Sequence, residues 1–255
     1  MMIDLNSDLG ESYGRYILGN DEKLIPLITS ANAACGFHAG DPAIMRRTAR
    51  MIKEAGIGAG AHPGFHDLQG FGRRNMVLSR DELYSCVLYQ LGALDAFLRA
   101  EGVRMVHVKP HGAMYNMAAK DRTMADIICE AVHDYCPDLI VLAQESGELY
   151  RAAKARGLRA AAEVYADRAY QEDGTLVPRS LPGSMIEDPQ EALHRVIRMI
   201  KEGKVTAITG KDIPVKADSV CVHGDGEHAL AFVRTIRQAC AQEGITLAPL
   251  AEFIQ

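Results

Sequence analysis

The 255-residue chain contains no CxxC pair, and its six cysteines (Cys35, Cys86, Cys129, Cys136, Cys221 and Cys240) lie far apart, mostly inside apolar runs. That spacing argues against a disulfide framework or a paired-cysteine zinc site and points to reduced thiols in the cytoplasm. Cys35 and Cys221 stand near strand ends but read as small buried hydrophobes rather than nucleophiles. No long basic stretch is present: 28 Lys and Arg are interspersed with 33 Asp and Glu, for a formal net charge of -5. Nucleic acid is therefore not an expected partner. No apolar run is long enough to span a bilayer. The amino terminus passes straight into a strand-like segment, without the basic region and apolar core of a secretion signal. The chain also lacks a GxxxxGKS or GxxxxGKT phosphate loop. No linker or composition shift divides it, and its 48% hydrophobic content is that of a folded globular chain.

What is present is one repeated phrase, a helical pattern that closes on glycine and is followed at once by a short apolar run. Glu54-Ala55-Gly56 precedes Ile57-Gly58-Ala59, Glu101-Gly102 precedes Val103 to Val108, Arg156-Gly157 precedes Leu158 to Val164, and Glu202-Gly203 precedes Val205 to Ile208. Glycine just past a helix supplies the left-handed cap that turns the chain back. Asp41-Pro42 and Asp188-Pro189 read as helix starts, and Ser79 to Glu82 has capping-box spacing. Helices are expected over 21–27, 42–55, 80–100, 122–135, 145–155, 189–201 and 227–242. The short apolar strands between them have the character of parallel strands covered on both faces. About seven βα units fit, at roughly 30 residues each. The expected architecture is α/β, one closed (β/α) barrel domain over 1–255 with a hairpin or loop excursion near 204–217. A doubly wound open sheet is not excluded by periodicity.

In a parallel α/β fold the carboxyl ends of the strands share one rim, and polar residues gathered there read as an active site. Asn6 and Asp8 share one alternation phase of the first strand, which in a barrel points inward and puts Asp8 at the mouth. His38 and His62 each end an apolar run. His62 and His66 have metal-ligand spacing, but Pro63-Gly64 breaks the helix that would put both rings on one face. Asp67 to Asn75, with Gly70, Gly72 and the pair Arg73-Arg74, reads as a mobile loop able to close over an anion. His107, Lys109 and His111 alternate along one side of an extended run, and a lysine there needs an acid beside it. Asp167 is a candidate general base or partner for that lysine. Arg168 and Arg179 are candidate anion contacts. His223 stands at the last strand end, and Asp225 reads as a helix cap. Alanine at Asp8 or Lys109 is expected to abolish turnover while leaving the fold intact.

Taken together, these phrases resemble the LamB/YcsF family. The resemblance is carried by Ile3 to Glu11, Ala31 to Asp41, Gly60 to Pro63, Phe71-Gly72-Arg73, Val108 to Gly112, Glu163 to Arg168, Leu176 to Arg179 and His223-Gly224-Asp225, and it runs nearly end to end. It implies a distorted seven-stranded (β/α) TIM-like barrel of the glycoside hydrolase/deacetylase type. It also implies ATP-dependent opening of the lactam 5-oxo-L-proline to L-glutamate, with ATP (and Mg) as cosubstrate, as an A subunit with two partner subunits, B and C. Phosphorylation of the amide oxygen would explain the ATP requirement. On this reading Asp8, His38, His62, Lys109, His111 and Asp167 are catalytic, and Asn6, Glu11, Asn32, Arg73, Arg168, Arg179, His223 and Asp225 contact substrate. Related deacetylases hold a metal through an early strand-end aspartate and an HxxxH pair. Asp8 and His62 stand at comparable places, but His66 departs from the family's pattern. A stand-alone metal-dependent amidase or deacetylase, or a non-catalytic substrate-binding subunit, are the alternatives.

Overall fold

The computed structural model describes residues 1–222 and 229–255. In chain order it contains β1 (Met2–Leu9), α1 (Asp21–Leu24), β2 (Ser30–Ala34), α2 (Pro42–Ala55), β3 (Gly58–His62), α3 (Arg80–Ala100), β4 (Met105–Val108), α4 (Gly112–Ala118) and α5 (Arg122–Tyr135). There follow β5 (Ile140–Ala143), α6 (Glu148–Ala155), β6 (Arg159–Tyr165), α7 (Pro189–Glu202), β7 (Lys204–Thr206), β8 (Asp212–Pro214), β9 (Ser219–Cys221), α8 (Ala229–Gln242) and β10 (Thr246–Leu247). Strands β1 to β6 and β9 are parallel neighbours, and β9 pairs back onto β1, so the seven close into a barrel rather than an open sheet. Strand β10 extends the start of β1, and β7 and β8 form a separate antiparallel pair. No helix among the described residues is long and apolar enough to cross a membrane.

The helix signals act as the sequence implies. Asp41 accepts from the amides of Ala43 (2.8 Å) and Ile44 (2.9 Å), Pro42 opens α2, and Gly56 ends it at φ 65°. Ser79 and Glu82 make a reciprocal capping box on α3, and α7 runs from the Asp188 cap to Gly203 at φ 63°. Three details differ. Helix α1 is one turn continued by a 3-10 turn at Ile25–Leu27, where Pro26 removes a backbone donor. Helix α6 starts at Glu148 rather than 145, with Gly147 as its extended N-cap. Helix α4 is unannounced: seven residues with no side-chain cap, held because Ala113, Met114, Tyr115 and Ala118 are buried.

Side chains alternate along each strand, so one phase of every barrel strand fills the interior. At the amino-terminal end that phase is apolar: Ile140, Leu142 and Ala161 pack with Leu250 and Ile254 of the chain's last segment. Above that plug the interior turns polar, with Asp4, Asn6, Ser30, Asn32, His107, Glu163 and Ser219 all buried. Gly60 makes room for this: a Cβ there would stand 2.0 Å from Nε2 of His107.

Asp4 accepts hydrogen bonds from the hydroxyls of Thr29 (2.7 Å), Ser30 (2.6 Å) and Ser219. Burial nonetheless outweighs these donors and, with Glu163 nearby, pushes its carboxyl up from 3.8 to about 6. Between those values the folded chain holds a proton that the unfolded chain has released. Its contribution is therefore full only below pH 3.8 and is lost as pH rises through about 6, a total fall of about 3 kcal/mol, most of it above pH 4. Urea unfolding of wild type and Asp4→Asn across pH 4 to 7 checks this: the wild type should lose stability relative to the variant, and parallel pH curves would remove Asp4 as the cause.

Candidate functional site

The carboxyl ends of the barrel strands open into a cavity of about 980 Å³ whose lining includes Asp8, Glu11, His62, Lys109 and His111. Asp8 ends the inward phase of β1. Its Oδ1 accepts from Nζ of Lys109 (3.0 Å) and Nδ2 of Asn32 (2.9 Å), and its Oδ2 lies 3.2 Å from Nε2 of His62. Lys109, just beyond β4, also reaches Oε1 of Glu163 at 2.8 Å and Sγ of Cys221 at 3.2 Å. Burial works against this ammonium, but the charges of Asp8 and Glu163 prevail and hold it well above the usual lysine range. Oε2 of Glu163 accepts from the hydroxyls of both Tyr115 and Tyr165, each at 2.8 Å. The lysine is thus a fixed cation between two acids, and the cavity sees its tip.

Beside it stand three histidines and a glutamate. His62 Nδ1 is 2.7 Å from the carbonyl of Lys109, and His111 Nε2 is 2.8 Å from the carbonyl of Phe71. Nε2 of His62 and Nδ1 of His111 then face each other at 3.0 Å. Glu11 Oε1 lies 3.4 Å from that His111 nitrogen and 3.1 Å from Nε2 of His38, whose ring stacks on His111 at 3.8 Å. Burial, then the charges of His38 and His62, lower His111 to about 2. Burial lowers His107 to about 3 and His38 well below its usual range, while burial and the charge of Asp8 raise Glu11. These three imidazoles are therefore neutral at pH 7, and three carboxyl groups face one ammonium. One donor atom from each of Glu11, His38, His62 and His111 lies within 4.8 Å of the others, a group that could hold a metal ion.

Asp8, His38, His62, Lys109 and His111 converge as expected from their strand ends, though His38 sits behind His111 rather than in the lining. His223 and Asp225 lie outside the described residues. Of the two roles read for Asp167, general base and partner of Lys109, the second is filled by Glu163, which shares the inward phase of β6; the Asp167 carbonyl accepts from the Ile186 amide. Asn6 and Asn32 lie below the cavity. Asn32 donates to Asn6 (2.8 Å) and Asp8 (2.9 Å), so the pair positions Asp8 instead of meeting a ligand. Arg73, Arg168 and Arg179 all line the cavity. Arg168 also ties its own loop, donating to the carbonyls of Val177 (2.6 Å) and Ser184 (3.4 Å).

The segment read as a mobile cover is anchored. Buried Asp67 binds Arg74 and the Gly70 amide, the Ala113 amide donates to the Gly72 carbonyl at 2.9 Å, and Phe71 adopts φ 53° to present its carbonyl to His111. Arg73 alone of the pair turns to the cavity, 5.0 Å above the Phe71 ring. Of the metal candidates Asp8 and His62, His62 belongs to a donor cluster with Glu11, His38 and His111; Asp8 stands beside it, with Oδ1 taken by Lys109 and Asn32 and Oδ2 3.2 Å from Nε2 of His62. His66 is exposed and stacks on Phe37 at 4.8 Å. Residues missed from sequence are Glu163, Tyr115 and Tyr165. The signal for the first lay in its alternation with Tyr165, but Tyr115 rides on the unannounced α4.

A parallel barrel with this polar mouth has the form of the distorted (β/α) barrels of the glycoside hydrolase/deacetylase type. A CE4 family pseudoenzyme mutant with restored activity shares the fold alone, at a TM-score of 0.52 and 14% identity, over 100% of this chain and 67% of that one. The LamB/YcsF pattern matches residues 3–255, and the chain belongs to that family. Over 248 residues the chain is 57% identical to the A subunit of the 5-oxoprolinase from Clostridium beijerinckii, covering 97% of each. It superposes on the solved structure of a lactam utilization protein from Thermus thermophilus with a TM-score of 0.92 and 47% identity, over 97% of this chain and 99% of that one.

Proposed function

We propose that this chain is the lactam-opening A subunit of an ATP-dependent 5-oxoprolinase, cytoplasmic and assembled with partner subunits B and C. The observation that carries the reading is the Lys109 ammonium held between Asp8 and Glu163 at the floor of a cavity rimmed by arginines. The names its relatives carry, for a 5-oxoprolinase and for lactam utilization, support it. A lactam amide is resonance-stabilised and its ring recloses readily, so opening needs activation. Transfer of a phosphoryl group from ATP to the amide oxygen makes the ring carbon electrophilic. Water then adds to that carbon, the C–N bond breaks with a proton going to nitrogen, and a second water releases phosphate from the resulting acyl phosphate.

Within this sequence Lys109 stabilises negative charge developing on the carbonyl side. Asp8 takes the proton from water. Arg73, Arg168 or Arg179 holds the substrate carboxylate. With no phosphate-loop motif in the chain, the partner subunits supply the Mg-ATP site. A second reading, a metal-dependent amidase acting alone, is favoured specifically by the Glu11–His38–His62–His111 cluster.

One assay separates them. The chain is mixed with 5-oxoproline and ATP, alone and with subunits B and C, and ADP and glutamate are measured. Turnover is expected only in the full mixture. Amide hydrolysis by the chain alone without ATP would instead establish the second reading.

A further inference from the structure

We propose that Glu11, His62 and His111 form a binding site for one divalent ion of the zinc class at the cavity floor, with the His38 ring stacked behind His111. The inference stands on hydrogen-bond polarity and does not depend on which amide the enzyme opens. Backbone carbonyls only accept hydrogen bonds. The Lys109 carbonyl therefore fixes the proton of His62 on Nδ1, and the Phe71 carbonyl fixes that of His111 on Nε2. The remaining ring nitrogens carry lone pairs, and they face each other at 3.0 Å. Oδ2 of Asp8 is 3.2 Å from the first, and Oε1 of Glu11 is 3.4 Å from the second. Four acceptors converging with no donor among them repel one another, so a cation, metal or proton, has to stand between them.

Bonds of ~2.0–2.1 Å to a tetrahedral ion put neighbouring donors roughly 3.3 Å apart. His62–His111 at 3.0 Å and Glu11–His111 at 3.4 Å lie on either side of that value, and the whole donor group falls within 4.8 Å. Each of His62 and His111 also carries the outer hydrogen bond to a carbonyl that orients a ligating imidazole. Two imidazole nitrogens and one carboxylate, with a fourth position open, suit zinc and its neighbours; magnesium prefers all-oxygen surroundings. The donor set is not a strand-end aspartate with an HxxxH pair, because His66 turns out to solvent against Phe37.

The test is metal binding by the full chain, independent of turnover. Chain stripped with chelator is titrated calorimetrically with Zn²⁺ and with Mg²⁺, and the Co²⁺-loaded chain is examined for the intense visible bands of a four-coordinate site. One Zn²⁺ per chain is expected, with no competition from millimolar Mg²⁺. His62→Ala and Glu11→Gln should each weaken binding by about 100-fold or more, and His66→Ala should leave it unchanged. Glu11→Gln keeps the side-chain shape, so it reports even where His62→Ala fails to fold. Absence of stoichiometric Zn²⁺ binding, or undiminished affinity in Glu11→Gln, would overturn the site and leave a shared proton between the rings.

Discussion

Lys109→Met is expected to abolish 5-oxoproline-dependent ATP hydrolysis in the assembled enzyme and to destabilise the barrel by about 3–5 kcal/mol. The sequence reading anticipated only the first effect. Lys109 is 2% exposed, and its ammonium bonds Asp8 and Glu163 at 3.0 and 2.8 Å. Methionine keeps the stem but leaves the Glu163 carboxylate, whose side chain is fully buried, without its cation. A buried charge stripped of its partner costs far more than the pair itself contributes. The second substitution Glu163→Gln should therefore restore part of the stability, since a glutamine carbonyl still accepts from Tyr115 and Tyr165. It should not restore turnover, because the cation facing the lactam remains absent. Urea unfolding of both variants, with a coupled ADP assay on the assembled enzyme, reads the two effects separately. A single variant as stable as wild type, or a double variant that turns over, would show that Lys109 is neither a buried counter-ion nor the oxyanion partner.

The barrel was legible because its signals are local. Asp41-Pro42, Asp188-Pro189, Gly56 and Gly203 each act within a few residues of where they stand, and the helices they bound follow closely. The rim was legible for a related reason: Asp8, His38, His62, Lys109 and His111 each close an apolar run, and the topology brings such ends together. What escaped depends on pairing between strands distant in sequence. Local alternation with Tyr165 puts Glu163 on one face of β6, but that this face meets Lys109 follows from the register of β6 against β9 and of β9 against β1, which no local pattern encodes. Helix α4 escaped because Pro110-His111-Gly112 reads as a turn, and the helix is held by burial of Tyr115 and Met114 rather than by a cap. Asn6 was read on the inward phase of the first strand, but the depth of Asn6 and Asn32 below the cavity is a property of the closed ring alone.

Asp8→Asn should separate chemistry from stability where Lys109→Met cannot. The Asp8 side chain is 18% exposed at the cavity floor, so its charge is not sealed in. Asparagine is isosteric, and its carbonyl oxygen still accepts from Lys109 and Asn32. Its amide can then donate to Nε2 of His62, whose proton sits on the far nitrogen. Every contact is kept, and one clash of acceptors becomes a hydrogen bond. Stability is therefore expected to stay within about 1 kcal/mol of wild type. What is lost is the base: an amide cannot take a proton from water at neutral pH, and general-base catalysis is worth about 10²–10⁴ in rate. The expected result is a fall in kcat of that size, with KM for 5-oxoproline changed by less than about threefold, since the carboxylate-binding arginines are untouched. The opposite pattern, a preserved kcat with a raised KM, would make Asp8 a binding group and move the proton-accepting role to another residue at the mouth.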